Sequence, residues 1–382
     1  MSKTTYKRLG DYIREVNVRN KELEVETLLG VSITKTFIPS IANTIGTDMS
    51  TYKIVSKEQF AYGPVTSRNG DKVSIALLKN YDKAIVSQAY TVFEIIDKNE
   101  LLPAYLMMWF MRPEFDIYAR YKSHGSAREI FDWDEMCNVE QPIPSLEKQQ
   151  EIVNEYEVLS KRIALNESIC EKLEQTAQAL YRKMFVDDID PENLPEGWRW
   201  GTIDEYCKEI KSGGTPSRIN KEYWNSFDYR WLKTGEVQNN IIFDTEKYIS
   251  KAGLSGSSAK LIPADSIIMA MYGATAAQVG YLACETTTNQ ACCNMICHSK
   301  EDAAFLYFHF RYCQEEIKRM ANGGAQENLS QDLISGLPII ILEENACKEQ
   351  LRIFINSLKQ YNKENILLVK QQELLLSKLT NI

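Results

Sequence analysis

The chain has 382 residues, of which 44% are hydrophobic and 25% are charged, and its formal net charge at pH 7 is −8. This composition is typical of a globular protein, and the length favours two domains. The acidic balance, without any strongly basic block, argues against a protein that coats nucleic acid by itself.

The first part of the chain predicts an α/β domain. Residues 6–17 have apolar side chains at helical spacing, which predicts a short amphipathic helix. Residues 26–33 and 60–76 predict short strands, the latter as a pair around a Gly-bearing loop. Residues 103–121 predict a helix, and a Pro-bounded strand at residues 141–144 closes the domain.

A long helix is predicted for residues 147–185. No Pro or Gly interrupts it, and apolar residues recur at alternating spacings of three and four, which is the seam of a coiled coil. Because so narrow a stripe needs a partner helix, this segment predicts an interface with a second helix. The seam consists of Ile152, Tyr156, Leu159, Ile163, Asn166, Cys170, Leu173, Ala177, Leu180 and Met184.

The second part of the chain repeats the first. Residues 186–200 are acidic, contain two prolines and lack periodicity, which is typical of a linker. Residues 200–210 then predict a short helix, residues 229–237 a strand, residues 266–282 a strand pair and residues 303–320 a helix.

A second long helix ends the chain and supplies the partner. Its seam residues are Leu351, Phe354, Leu358, Tyr361, Asn365, Leu368, Gln372, Leu375 and Leu379. Asn166 and Asn365 interrupt their seams near the middle of each helix, so in an antiparallel pair they would face one another. A buried Asn pair costs stability but fixes the register of the two helices.

The predicted fold class is therefore α+β, with two tandem α/β domains, two long antiparallel coiled-coil helices and a pseudo-twofold internal repeat. The predicted boundaries are 1–145 for the first domain, 146–186 for the first helix, 187–199 for the linker, 200–342 for the second domain and 343–382 for the second helix.

The sequence offers no catalytic constellation. It has no Pro-Pro dipeptide of the kind that adenine methyltransferases need to hold a flipped base, and no phosphate-binding Gly-rich loop before a helix. The cluster of Cys292, Cys293, Cys297 and His298 lacks the spacing of a zinc site, so no metal is expected. Without a hydrophobic leader or a bilayer-length apolar run, a cytoplasmic protein with reduced cysteines and no membrane contact is expected.

Polar and cationic side chains crowd several predicted loops. Such groups bond phosphates, and Arg and Asn can also read purine edges in the major groove, although turn residues are often only solvated. The predicted DNA contacts of the first domain are Thr66, Ser67, Arg68, Asn69, Lys72, Ser126 and Arg128. Those of the second domain are Lys211, Ser212, Thr215, Ser217, Arg218, Lys233, Asn239, Tyr272, Thr275, Gln278 and Gln326.

A set of ordered motifs resembles the specificity subunits of type I restriction-modification systems. The linker matches that family's inter-domain signature, and the second domain matches its target recognition domain. The matching segments are 194–198 (LPEGW), 213–217 (GGTPS), 231–237 (WLKTGEV), 263–268 (PADSII), 273–275 (GAT) and 289–291 (NQA), with 87–89 (SQA) as the counterpart in the first domain. The first domain lacks the GGTPS loop and has residues 60–64 (FAYGP) and 68–70 (RNG) instead, which resembles another subtype.

The resemblance implies that each domain reads one half of a bipartite, asymmetric double-stranded DNA sequence, while the coiled coil sets the spacing. It also implies recruitment of two modification subunits, which methylate adenine N6 with S-adenosylmethionine, and of restriction subunits, which use ATP and Mg²⁺. This chain would bind none of these cofactors and would catalyse nothing. The alternatives are a coiled-coil scaffold that binds only proteins and a fused methyltransferase-specificity enzyme.

Overall fold

A computed structural model describes residues 6–40, 46–67, 70, 72–124, 129–321, 328–342 and 346–381. The chain divides into two units, of which unit 1 is Met1–Ile163 with Leu367–Ile382 and unit 2 is Ala164–Ile366. Both divisions fall inside long helices, so each unit contains a part of both helices.

Unit 1 begins with strands and continues with helices. Its elements in chain order are β1 (Tyr6–Arg8), β2 (Ile13–Val16), β3 (Leu29–Val31), β4 (Phe37–Pro39), β5 (Lys53–Ser56), β6 (Phe60–Tyr62), β7 (Ile75–Leu77), β8 (Lys83–Val86), β9 (Thr91–Ile95), α1 (Pro103–Met111), α2 (Pro113–Lys122), α3 (Trp133–Cys137), β10 (Glu140–Pro142) and the first part of α4 (Leu146–Arg182). The main sheet has the order β2-β9-β6-β7, and the smaller pairs are β1-β10, β3-β4 and β5-β8.

The helix predicted for residues 6–17 is wrong. This segment forms β1, a 3₁₀ turn over Leu9–Asp11 and β2, because β10 and β9 supply antiparallel partners for the two strands. Leu9 and Ile13 are buried in the core, so their helical spacing arises from a strand-turn-strand segment instead. The helix predicted for residues 103–121 is broken at Arg112, whose extended backbone is the conformation that a following proline favours.

Unit 2 repeats this order. It contains the end of α4 and then β11 (Trp198–Thr202), α5 (Ile203–Tyr206), β12 (Glu209–Ser212), β13 (Tyr229–Leu232), β14 (Asn240–Ile242), β15 (Lys247–Ile249), α6 (Lys251–Ser255), β16 (Leu261–Ile262), β17 (Ile267–Ala270), β18 (Val279–Leu282), β19 (Thr286–Thr288), β20 (Cys292–Ile296), α7 (Lys300–Ala321), α8 (Gln331–Ser335), β21 (Pro338–Leu342) and most of α9 (Ala346–Lys378).

Two sheets form the centre of unit 2. Their strand orders are β12-β20-β17-β18-β14 and β15-β13-β19-β16, and β11 pairs separately with β21. Only α5 is helical within the segment predicted as a helix over residues 200–210. Cys292 and Cys293 lie in two different hydrophobic clusters on opposite sides of β20, and burial raises the pKa of Cys293 to about 12. Within the described ranges, no three His, Cys, Asp or Glu side chains are placed to hold a metal ion.

The long helices pair in an antiparallel manner within each unit. In unit 2, Asn166 Nδ2 donates to Asn365 Oδ1 at 2.8 Å, so the two amides face one another as the seams predict. In unit 1, Gln372 Nε2 donates to Ser160 Oγ at 2.7 Å. All residues of the predicted seams are buried or half-buried. Among the helices that the structure describes, none combines the length and hydrophobicity needed to span a bilayer.

Candidate nucleic-acid interface

The loops that carry the predicted contacts of unit 2 leave the five-stranded sheet at the same end of its strands. Ser212 at the end of β12 and Met269 near the end of β17 both pair with Cys293 of β20, and both pairings are antiparallel. The strands β12 and β17 are therefore parallel to each other. Consequently, residues 213–220 and residues 271–278 emerge side by side.

The second sheet contributes loops that lie at the same place, where its strands β13 and β19 end. Leu232 lies beside Thr288 in the parallel pair of β13 and β19, and Asn289 N donates to Leu232 O at 3.0 Å. The segment 289–291 then leads directly into β20. Thr215 Oγ1 donates to Gln290 Oε1 at 2.5 Å, which ties the loop after β12 to this segment. The ends of both sheets thus bring together Lys211 and Ser212 at the end of β12 and the loops that bear Thr215, Ser217, Arg218, Lys233, Tyr272, Thr275 and Gln278.

The Gly213-Gly214 pair allows this close approach. A Cβ atom on Gly213 would lie 2.2 Å from Thr288 Oγ1 and 2.3 Å from Asn289 O. On Gly214 it would lie 2.4 Å from the backbone carbon of Ser258. These glycines are therefore needed for space between backbones, and phosphate binding is not required to explain them.

The three predicted cationic contacts of unit 2 differ in their partners. Lys211 Nζ lies 2.8 Å from Glu209 Oε2, and Lys233 Nζ lies 2.5 Å from Glu246 Oε2. The hydrogen bond with Glu246 raises the pKa of Lys233. The guanidinium carbon of Arg218 instead lies over two indole rings, 4.9 Å from the centroid of Trp224 and 5.6 Å from that of Trp231. Two of the three charges are thus partly neutralised by glutamates.

Asn239 has an internal role in the structure. Its backbone has a φ of +57°, and its Oδ1 accepts from Val279 N and from Gln314 Nε2, both at 3.0 Å. Its Nδ2 donates to Gln314 Oε1 at 3.1 Å. The amide therefore fixes the start of β18 against α7, and its hydrogen-bonding groups are occupied within the domain.

The loop between β17 and β18 is stabilised by its own backbone. Gln278 N donates to Thr275 O at 2.9 Å, and Thr275 Oγ1 donates to Tyr272 O at 3.3 Å. The Tyr272 side chain is 45% exposed, and its backbone pairs with Asn328. Gln326, also predicted as a contact, lies outside the described residues.

In unit 1 the predicted contacts separate into buried and exposed groups. Thr66 is only 2% exposed, and its Oγ1 donates to Ser123 Oγ at 2.9 Å, so its side chain serves the interior. Ser67 and Lys72 are exposed. The remaining predicted contacts of this unit lie outside the described residues and are Arg68, Asn69, Ser126 and Arg128.

A buried ion pair next to this loop was missed by the sequence analysis. Lys35 Nζ lies 2.7 Å from Asp116 Oδ1 and donates to Phe110 O at 2.5 Å, while the same Asp116 oxygen accepts from Val73 N at 3.0 Å. Burial lowers the pKa of Lys35. The pair anchors the backbone just after Lys72. Nothing in a single sequence links a lysine in one hairpin to an aspartate in a distant helix.

Comparison with known proteins agrees with the repeated architecture. The family model for the type I restriction modification DNA specificity domain matches residues 33–175 and 195–375. The HindI specificity subunit of Haemophilus influenzae is 24% identical, over 86% of this chain and 87% of that protein. The EcoR124I/EcoR124II specificity subunit of Escherichia coli is 25% identical, over 72% of this chain and 67% of that protein.

A solved structure shows the same fold. The type I restriction-modification S subunit from M. genitalium aligns with a TM-score of 0.59 at 15% identity, over 98% of this chain and 96% of that chain. The family model covers most of the sequence in two separate matches, one for each repeat. The chain therefore belongs to the family of type I restriction-modification specificity subunits.

Proposed function

We propose that each α/β domain of this specificity subunit reads one half of a bipartite sequence in double-stranded DNA. The proposal is carried by one observation: the loops bearing Thr215, Arg218 and Lys233 converge at the strand ends of the two sheets of unit 2. Hydroxyl and cationic groups bond to phosphates and to base edges in the major groove. The repeated element order supports the same role for the loop of Ser67 and Lys72 in unit 1.

The two long helices are proposed to set the separation of the half-sites. The helices α4 and α9 have 37 and 33 residues. At about 1.5 Å per residue these lengths are about 55 and 50 Å. Since one turn of B-DNA is about 34 Å long, helices of this length suit half-sites separated by about one turn. The hydrogen bond between Asn166 and Asn365 supports a fixed register.

The chemistry is proposed to come from partner subunits. Two modification subunits would transfer a methyl group from S-adenosylmethionine to adenine N6, and restriction subunits would use ATP and Mg²⁺. The internal repeat suits two copies of one modification subunit. Exposed apolar side chains on the helix pair of unit 1, such as Val158 and Leu374, line a groove of about 640 Å³ and provide a surface for such a partner.

A domain exchange tests the proposal. Residues 1–145 are replaced by the corresponding domain of another specificity subunit, and the methylated motif is determined by sequencing DNA from a host that also carries the modification subunits. One half of the motif should change, and the other half should persist. The matched control replaces residues 200–342 and should change the opposite half. A change of both halves in either variant would contradict the assignment of one reader to each half-site.

A second measurement separates DNA reading from a purely structural role. The complex of this chain with its modification subunits should protect two separated segments of a target duplex from cleavage in a footprinting experiment. Protection that is independent of the DNA sequence would indicate a scaffold that binds only proteins.

A further inference from the structure

We propose that Arg218 is a specificity-determining residue of unit 2 and that it reads a guanine in the second half-site through the major groove. This inference rests on the proposed function, since it assigns one base contact within the DNA interface.

The loop that bears Arg218 is held at two points by indole groups. Trp231 Nε1 donates to Gly214 O at 3.0 Å, and Trp224 Nε1 donates to Ser217 O at 3.1 Å. The two rings pack edge to face with centroids 4.9 Å apart, and Trp231 is 2% exposed. The backbone on the N-terminal side of Arg218 is therefore fixed by an aromatic pair of which Trp231 is buried and Trp224 is half-buried.

The same indole rings orient the side chain. The guanidinium carbon of Arg218 lies over both rings, and such cation–π contacts restrict a side chain that would otherwise lose much conformational entropy on binding. A contact made by a side chain that is already ordered costs less to form. Contacts with aromatic rings leave the N–H donors of Arg218 without a hydrogen-bond partner among the described residues.

The charge of Arg218 is unpaired within the part of the chain that the structure describes. Among the described residues, Arg218 has no hydrogen bond or ion pair, whereas Lys211 and Lys233 lie against glutamates. A ligand can therefore contact Arg218 without breaking an existing ion pair. Arg218 is also exposed and lines, together with Trp224, a groove of about 570 Å³.

The geometry favours a base over a phosphate. The planar fork of arginine matches the O6 and N7 acceptors of guanine in a bidentate manner, and this contact requires a defined position. A phosphate contact requires mainly positive charge, which Lys221 in the same loop provides on an exposed, flexible side chain. The two indole groups provide position, so Arg218 is assigned to the base.

The test compares Arg218→Ala and Arg218→Lys with the matched control Lys221→Ala in the full chain, co-purified with its modification subunits. Binding is measured for the target duplex and for duplexes in which single guanines of the second half-site carry carbon in place of N7. For the wild type, one such replacement should weaken binding by about 5- to 150-fold, which corresponds to about 1–3 kcal/mol. Arg218→Ala and Arg218→Lys should bind the altered and unaltered duplexes equally.

The control should behave differently. Lys221→Ala should weaken binding to all duplexes by a similar factor and keep the sensitivity to the N7 replacement. The inference is overturned if Arg218→Lys keeps wild-type discrimination, because a point charge would then suffice, or if no guanine of the second half-site affects binding. In both cases the proposed function stands, because the wild type still binds its bipartite target specifically. If the wild-type complex does not bind that target specifically, the proposed function itself is refuted.

Discussion

The buried amide pair in the helix seam predicts that its removal stabilises unit 2 and loosens the register. Asn166 is 0% exposed, and its Nδ2 donates to Asn365 Oδ1, but its own Oδ1 has no hydrogen-bond partner among the described residues. An acceptor buried without a partner costs about 1–3 kcal/mol. Replacing both amides by leucine, which has a similar shape, removes this cost and extends the apolar seam.

The magnitude follows from which groups remain. In Asn166→Leu/Asn365→Leu no polar atom of the pair is left, so we expect a gain of about 1–3 kcal/mol in the free energy of unfolding. In Asn365→Leu alone, Asn166 Nδ2 loses its acceptor while Oδ1 stays unpaired, so we expect a loss of about 1–3 kcal/mol in the free energy of unfolding. For a unit of this size, each kcal/mol corresponds to about 2–4 °C in Tm.

Two assays check this expectation. Thermal unfolding of the full chain should place the double variant above the wild type and Asn365→Leu below it. Sequencing of methylated DNA should then show additional spacer lengths for the double variant. A slip of one heptad moves the helices by about 10 Å, which is about three base pairs of DNA.

Either assay can refute the reasoning. If the double variant melts below the wild type, the hydrogen bond stabilises the unit by more than the unpaired acceptor costs. If the double variant melts higher but methylates only the original spacer, the apolar residues of the seam fix the register without the amides.

Three further predictions concern residues that are packed inside one of the two units. Asp116→Ala leaves Lys35 buried without its partner and should lower the free energy of unfolding by about 3–5 kcal/mol, as measured by urea unfolding. Lys35→Met with Asp116→Leu removes both charges and should recover a part of this loss, since Val73 N and Phe110 O still lose their partners. Equal stabilities of the two variants would contradict the argument. Gly213→Ala should lower the free energy of unfolding by about 1–3 kcal/mol, because the added Cβ overlaps the neighbouring backbone. The control Gly235→Ala, whose Cβ meets open space, should change it by less than about 0.5 kcal/mol in the same urea unfolding experiment. Burial lowers the pKa of His309 to about 4, below its value of about 6.5 in the unfolded state. Between pH 6.5 and about 4 the unfolded state therefore binds more protons than the folded state, and the free energy of unfolding falls as the pH drops through this window. His309→Leu should reduce the change of the free energy of unfolding with pH by at most about 1.4 kcal/mol per pH unit. Urea unfolding at a series of pH values measures this slope, and identical slopes for the variant and the wild type would refute the prediction.

The repeat and the long helices were accessible from the sequence because both depend on periodic patterns. The alternation of three and four residues continues through the whole of α4 and α9 without Pro or Gly, so it predicts their length and their need for a partner. The Asn166–Asn365 contact followed from their central positions alone. The fold class, with two α/β domains and two antiparallel helices, is confirmed.

Short segments were less accessible because sheet partners decide their conformation. Leu9 and Ile13 are spaced as on a helix, yet β9 and β10, from much later in the chain, pair with this segment as strands. The spacing reports which side chains are buried, and a tight turn between two strands can bury the same positions. A pattern of about ten residues therefore cannot separate the two conformations.

The candidate interface shows how far polar composition can predict binding. Thr66 and Asn239 have the chemistry of DNA contacts, but their side chains make internal hydrogen bonds that position the loops. A polar group in a loop first satisfies neighbouring backbone and side-chain groups, and only groups left without such partners remain for a ligand. Arg218 is one of these, because its support comes from aromatic faces that leave its donors unused. An unpaired charge held in a fixed position therefore distinguishes a candidate DNA contact such as Arg218 from loop residues such as Thr66 and Asn239. This property depends on contacts with Trp224 and Trp231, which no local sequence pattern encodes.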